Sequence, residues 1–516
     1  MSLWQKVILV LVSLALLAAA FLTWYLATYD AREPSRLAYA EHCAGCHGKN
    51  LQGTNNGPSL VGANLVYGDS TAELISSIGE HSQLNHAAKA DQSALPKHAA
   101  KALALYVSER RQELPTIPDS QIYRLPGESI ASQHHDFRVE HVADLASAPY
   151  SMAPLPNGEI LVTEKVRGLS LIDQRGRQSP LILNTPPVWG ELLKVRGSYV
   201  GLGMMLDVEL HPDYGSNGWI YLYNTHRCQF DCGSLVHQTM VRVVRGKISE
   251  GSWHSEEVVW SVDTDFYTVI PDNVAAGRLA FDQAGHLYIT IGGKASYRQL
   301  HELDTPYGKI HRINDDGTVP KDNPFWQPSE DRAQPSTRHT VWSFGHRTTQ
   351  GLAAHPTGGE IWASEMGPRG GDEINRITPG GNYGWPLYTE GLDYDGEPVT
   401  IGQELGLDFP LTKTIPPTVD FTPAPSLSSF TFHSGQQFPN WRHDLLVGSL
   451  RARTLFRIRM KQNQAIELEK LVEHLGRIRD VEMGPQGLVY LLVEHQHGGS
   501  LLRLVPLKTD SFTVGD

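Results

Sequence analysis

At 516 residues the chain is too long for one ordinary hydrophobic core, so two or more folded units are expected, one of them large. Its 44 basic residues are outnumbered by 56 acidic ones, giving a formal net charge of -12 with no basic stripe of the kind that neutralises phosphates. That balance argues against a nucleic-acid partner.

Every side chain from 7 to 27 is uncharged, a run long enough to cross a hydrocarbon core as a helix at about 1.5 Å per residue. Lys6 precedes it, while Asp30, Arg32, Glu33 and Arg36 follow, which favours an N-in, C-out orientation. A cleavable signal is the competing reading. It needs a shorter apolar region with small residues after it, whereas Ala18 to Ala20 lie inside the run and Trp24 and Tyr25 suit an interface. The expectation is a single-pass anchor in the cytoplasmic membrane, with the body on the periplasmic or outer side.

Residues 43 to 47 read Cys-Ala-Gly-Cys-His, a spacing that offers two thiols to haem vinyl groups and the next imidazole to iron. A thioredoxin-like pair or half a zinc site would share the CxxC, but no second CxxC and no βαβ pattern accompanies it. Tyr39 to His47 reads as the end of a helix, 57–62 as a turn, and 99–111 as an amphipathic helix with Leu103, Leu105, Tyr106 and Val107 free to pack. Residues 35–112 therefore resemble a class I cytochrome c domain. The resemblance implies haem c on Cys43 and Cys46, His47 on iron, and the Pro58 carbonyl supporting His47. The family's methionine ligand has no counterpart, because no methionine lies between His47 and Met152. His86 is the expected sixth ligand, with His81 and His98 as alternatives. A bis-histidine haem lies at a lower potential than a Met/His one.

Residues 113–135, rich in prolines and polar residues, read as a linker. Beyond it one phrase recurs, a Gly, Asn, Asp or Pro turn running into a short alternating apolar strand. Its copies begin at Pro156, Ser216, Gln283, Thr357, Asn440 and Pro485, each with room for about four strands. One copy per blade predicts an all-β six-bladed propeller over 136–507; an ordinary β protein with many glycine turns is the alternative. In the loop from His226, Cys228 and Cys232 suit a local disulfide in an oxidising compartment, with two free thiols as the bland reading.

Longer phrases in this region point to a family: Gly345-His-Arg-Thr-Thr-Gln-Gly, Glu365-Met-Gly-Pro-Arg-Gly-Gly-Asp-Glu, Gly381-Asn-Tyr-Gly-Trp-Pro and Gly476-Arg-Ile-Arg-Asp-Val. With Leu210-His-Pro-Asp-Tyr and Tyr307-Gly-Lys-Ile-His-Arg-Ile-Asn, they resemble the soluble sugar dehydrogenases that use pyrroloquinoline quinone (PQQ). The resemblance implies a six-bladed propeller with the cofactor over one end of its channel. It assigns cofactor contacts to Arg347, Gln350, Arg451, Arg477 and Arg479, Arg451 standing where many relatives have lysine. It gives the carbonyls of Gly367 and Pro368 to calcium, which would polarise the quinone. Planar forks suit a tricarboxylate, and Arg477 and Arg479, two apart on a strand, project to one side.

The aligned segment departs from the family at the general base. Val274 occupies the histidine position and accepts no proton, leaving Asp272 as a weak substitute. Thr348 replaces an asparagine, Gly293 an aspartate, and the segment from Gly201 lacks the usual glutamine. Two functions follow. One is a membrane-anchored quinohaemoprotein that oxidises a sugar or alcohol at PQQ and passes electrons through haem to a respiratory acceptor. The other is a catalytically inactive propeller, a binding or assembly module for the cytochrome.

Overall fold

The computed structural model describes residues 34–507 except 63, 87–96, 113–122, 128, 147, 190–191, 196–197, 202, 269–276, 294–296, 329–336, 463 and 496–497. The apolar run 7–27 lies outside the described residues, as do Asp272 and Val274 and the side chains of His81 and His86. Among the described residues no helix is long and apolar enough to cross a membrane. The chain divides into two compact units, one holding the residues up to Ile117 with Leu392–Pro398, the other the rest.

The smaller unit is helical. Helix α1 (Pro34–His42) starts on a proline, whose missing N–H costs nothing in a first turn. After a turn at Cys43 the coil resumes as α2 (Ala44–His47) and stops at Gly48, whose φ of 78° suits glycine. Helix α3 (Thr71–His86) is opened by Ser70, whose hydroxyl and N–H both meet the Glu73 carboxylate, a capping box. Helix α4 (Lys97–Arg111) begins two residues before the expected start at Ala99. Its Leu103, Leu105, Tyr106 and Val107 are buried as expected. Helices α1 and α4 meet at Tyr39 and Tyr106, with ring centroids 5.4 Å apart, and Leu51, Leu74, Leu103 and Val107 complete that core.

The larger unit is a ring of antiparallel sheets. Strand β1 (Phe137–Leu145) comes first but pairs last. The first blade holds β2 (Pro149–Pro154), β3 (Ile160–Glu164) and β4 (Gly168–Ile172), followed by a hairpin of β5 (Leu192–Val195) and β6 (Ser198–Gly201). The second holds β7 (Met205–Leu210), β8 (Ile220–Cys228), β9 (Gln238–Ser249) and β10 (Ser252–Ser261); the third, β11 (Leu279–Phe281), β12 (His286–Ile291), β13 (Lys309–Asn314) and β14 (Val341–Phe344). The fourth holds β15 (Thr349–Ala354), β16 (Ile361–Glu365), β17 (Asp372–Arg376) and β18 (Val419–Phe421); the fifth, β19 (Leu427–Phe432), β20 (Leu445–Ser449), β21 (Leu455–Lys461) and β22 (Gln464–Val472). In the sixth, β23 (Arg477–Met483), β24 (Val489–His495) and β25 (Gly498–Pro506) are completed by β1, antiparallel to β25 from Phe137↔Pro506 to Leu145↔Gly499.

The first strands neighbour one another in the closed order β2, β7, β11, β15, β19, β23, β2, which makes this a six-bladed propeller. Each recurring phrase sits at the hairpin from a blade's first strand to its second. Apolar faces of successive sheets pack together: Leu161 and Leu169 of the first blade meet Val208, Leu222 and Val244 of the second. Burying each such side chain contributes about 1.5–3 kcal/mol. The Cys228–Cys232 disulfide forms as expected, closing the loop after β8.

Candidate active site

An antiparallel blade brings its second strand back to the end where its first strand begins, and its third strand leaves from there. The starts of the six inner strands and the β3–β4, β16–β17 and β20–β21 loops therefore share one end of the ring. This places Arg347, Gln350, Arg451, Arg477 and Arg479 together, with Gly367 and Pro368 on the β16–β17 loop. Five inner strands carry a register break near that end: at Tyr150 in β2, Leu206–Asp207 in β7, Gln350 in β15, Ser428–Ser429 in β19 and Arg479 in β23. Such bulges turn an extra side chain or carbonyl out of the ladder.

Arg278, just ahead of β11, ties these strands together. Its Nη1 donates to Asp207 at 2.8 Å and lies 3.0 Å from Asp480; its Nη2 donates to the Arg479 carbonyl at 2.8 Å, and its Nε to the Gln350 carbonyl at 2.9 Å. One guanidinium thus joins the second, third, fourth and sixth blades. Glu209 and Glu482 follow Asp207 and Asp480 by two residues. Burial first, then the neighbouring carboxylates, push both well above the usual glutamate range.

On the sixth blade, Glu494 is the direct cross-strand partner of Arg477, and its Oε2 lies 2.5 Å from Arg479 Nε and 3.7 Å from Arg477 Nε. Burial raises this carboxyl, but Arg479, Lys165 and Arg477 outweigh it and hold it down at about 2. The two arginines meet one carboxylate, so they do project to one side. On the fourth blade, Arg347 donates to the carbonyls of Met366 and Gly367 at 2.9 and 2.7 Å, stacks 5.1 Å from the Trp385 ring, and offers its backbone N–H to Glu365. Asp372 accepts from the N–H groups of Leu427 and Gly367; burial lifts it to about 7 against those bonds and against Arg347 and Arg451. Arg451 itself donates to the Ala424 carbonyl at 3.3 Å. A side chain at Gly367 would drive into the Gly370 and Gly371 carbonyls, 2.3 and 2.2 Å from its Cβ, so only glycine fits.

The Gly367 carbonyl expected to hold calcium thus accepts from Arg347. Among the described residues no group of three or more His, Cys, Asp or Glu side chains is arranged for a metal ion. Gln350 contributes its carbonyl to Arg278, and Thr348 Oγ1 is buried with no hydrogen-bond partner among the described residues. The charged residues absent from the expected set include Arg278 with Asp207 and Asp480, and Lys165, Asp372 and Glu494. Lys165, just past β3, and Glu494, near the end of β24, stand at the same position after a recurring phrase, so aligning the repeats would have flagged it.

In the helical unit the short helix α2 orders the Cys-Ala-Gly-Cys-His segment, with the N–H groups of Cys46 and His47 both donating to the Cys43 carbonyl. His47 Nδ1 lies 2.8 Å from the Pro58 carbonyl, as expected; the bond requires a proton on Nδ1 and leaves the lone pair on Nε2. Cys43 and Cys46 form no disulfide with each other. Burial first, then Cys46, pushes the Cys43 thiol up to about 11. His98, one alternative sixth ligand, lies 3.4 Å from Glu397 within the same unit.

Comparison with known proteins places this propeller among catalogued relatives. Residues 146–503 match the model of the glucose/sorbosone dehydrogenase family. The aldose sugar dehydrogenase YliI of Escherichia coli is 32% identical over 382 residues, 71% of this chain and 92% of that protein. The quinoprotein glucose dehydrogenase B of Acinetobacter calcoaceticus is 24% identical over 472 residues, 77% of this chain and 93% of its own. A glucose dehydrogenase crystal structure superposes with a TM-score of 0.62 at 34% identity, covering 72% of this chain and 99% of that one. The matched region contains all six inner strands and the charged cluster at their shared end, and on these grounds the chain belongs to the glucose/sorbosone dehydrogenase family.

Proposed function

We propose that the propeller binds PQQ at the end where its inner strands begin and oxidises an aldose or related alcohol there, and that electrons leave through a haem c in the helical unit. The observation that carries the reading is the group of buried cations, Lys165, Arg347, Arg477 and Arg479, on elements that share one end of the ring in a sugar-dehydrogenase fold. The name of the quinoprotein relative supports the cofactor, and that of the aldose dehydrogenase relative supports the substrate class.

PQQ, when bound, supplies an ortho-quinone that accepts a hydride equivalent. Three carboxylates on that ring need fixed donors, and Arg477 and Arg479 offer two forks from one side while Arg347 and Arg451 flank the other. Asp207 and Asp480 neutralise Arg278, so it fixes the strands without adding to the positive charge offered to the anion. A calcium ion would take the carbonyls of Gly367 and Pro368, and Arg347 would then have to release the first of them. Cys43 and Cys46 would attach the haem, with His47 Nε2 on iron and Nδ1 held by Pro58. His86 would take the sixth position, with His81 and His98 as the alternatives. The apolar run 7–27 would anchor the body on the periplasmic or outer side, where the Cys228–Cys232 disulfide persists.

The second reading, a non-catalytic module for the cytochrome, is favoured by Val274 at the family's histidine position. Calorimetric titration of the purified chain with PQQ and calcium tests the first reading. Saturation near one PQQ per chain is expected; no saturable binding would overturn it.

A further inference from the structure

Lys165 is buried, and the carboxylate that acts on it, Glu494, is shared with two arginines. It follows β3, and its backbone is pinned between two inner strands: its N–H donates to the Ala148 carbonyl at 3.0 Å and its carbonyl accepts from Met205 at 2.9 Å. The residue is 7% exposed. Its Nζ stands 5.3 Å from the Tyr150 ring centroid, and the same ring carries Arg278 at 4.7 Å. Among the described residues Nζ makes no hydrogen bond or ion pair.

The neighbours share the deficit. Among the described residues Arg477 Nε is buried without a hydrogen-bond partner, and Glu494, the carboxylate they have in common, is already taken by Arg479. Three cations, Lys165, Arg477 and Arg479, against one carboxylate leave two positive charges. Arg278 adds no positive charge, because two carboxylates, Asp207 and Asp480, face it, and burial raises Asp480. A desolvated ammonium without a counter-ion costs several kcal/mol, a cost that an anionic ligand offsets.

We propose that Lys165 is a carboxylate-binding arm of the cofactor site, closing with Arg477 and Arg479 on one carboxylate of the polyanion. The inference rests on the reading that this end binds PQQ. It has a signature that a structural lysine lacks. Burial first and Arg479 next push Lys165 down to about 7, Glu494 acting against them and Arg477 and Arg278 with them. Without ligand the amine is therefore neutral above that pH. A bound carboxylate draws the proton back, so binding at pH 8 takes up a proton.

Calorimetric titration with PQQ of the full chain and its Lys165→Met and Lys165→Arg variants, from pH 6 to 9, tests this. In the wild type, affinity falls about tenfold per pH unit above 7, with proton uptake visible in buffers of different ionisation heat. Lys165→Arg stays charged and removes that slope. Lys165→Met binds about ten- to a hundredfold more weakly at pH 6, while its ligand-free melting temperature holds or rises because a desolvated charge is gone. Failure of the wild type to bind PQQ overturns the underlying reading. If the wild type binds but Lys165→Arg keeps the same slope, or Lys165→Met binds equally well, the role of Lys165 is overturned and the reading stands.

Discussion

Arg479→Met is expected to weaken PQQ binding about a hundredfold or more and to lower stability by about 3–5 kcal/mol at neutral pH. The binding loss follows from removing one of the two forks that share Glu494. The stability loss has a separate origin, because Glu494 is buried and its nearest cation, at 2.5 Å, disappears. In the wild type the carboxyl sits at about 2, below the ordinary glutamate value of 4.5. Its contribution is therefore present above pH 4.5 and lost as pH falls toward 2. In the variant Glu494 keeps only Arg477, at 3.7 Å, and Lys165, and protonation relieves that weaker pairing, so the gap between the two proteins narrows as pH drops. Chemical denaturation at pH 7 and pH 4 checks this; a gap that is equal at both values contradicts the assignment of Glu494 as the arginine's buried counter-ion.

The double variant Cys43→Ser, Cys46→Ser is expected to lose covalent haem completely. Helix α2 places both thiols one turn apart, and the serine hydroxyl forms no thioether with a vinyl group. Haem staining after denaturing electrophoresis reads the outcome directly: a stained wild-type band and an unstained variant band. A wild type expressed with cytochrome maturation machinery that carries no stain would remove the haem from the account. Cys43 packs against the core that joins α1 to α4 at Tyr39 and Tyr106, so circular dichroism of the variant is read alongside the stain to separate loss of haem from loss of the helical unit.

The propeller was legible because a local signal repeats. The turns at Pro156, Ser216, Gln283, Thr357, Asn440 and Pro485 need glycine or asparagine geometry, and the strands after them need alternating apolar residues, so one phrase reports one blade. The closing strand β1 left no such trace. Its partner β25 is more than three hundred residues away, and nothing in 137–145 encodes that pairing locally. Helix ends carried local signals too, in Gly48 and in the Ser70–Glu73 box.

Within the site, Arg477 and Arg479 were legible as a pair, but the reason they share Glu494 was not. Arg479 is the extra residue of a bulge, and bulges arise from register between strands rather than from residue type. The same applies to Gln350, whose carbonyl rather than side chain meets Arg278. Lys165 escaped notice because a lysine after a strand reads as a solvated turn residue. Its burial comes from Tyr150 and the inner strands around it, which only the closed ring brings together.

The most direct test of the account joins its two halves in one cuvette. The full chain, carrying haem and loaded with PQQ and calcium without oxygen, is mixed with glucose and then other aldoses while the haem bands are followed. The account predicts that at least one aldose converts the oxidised haem to its reduced spectrum, and that the chain without PQQ shows no change. A haem that stays oxidised with every aldose, although PQQ is bound, would contradict it and favour the non-catalytic module.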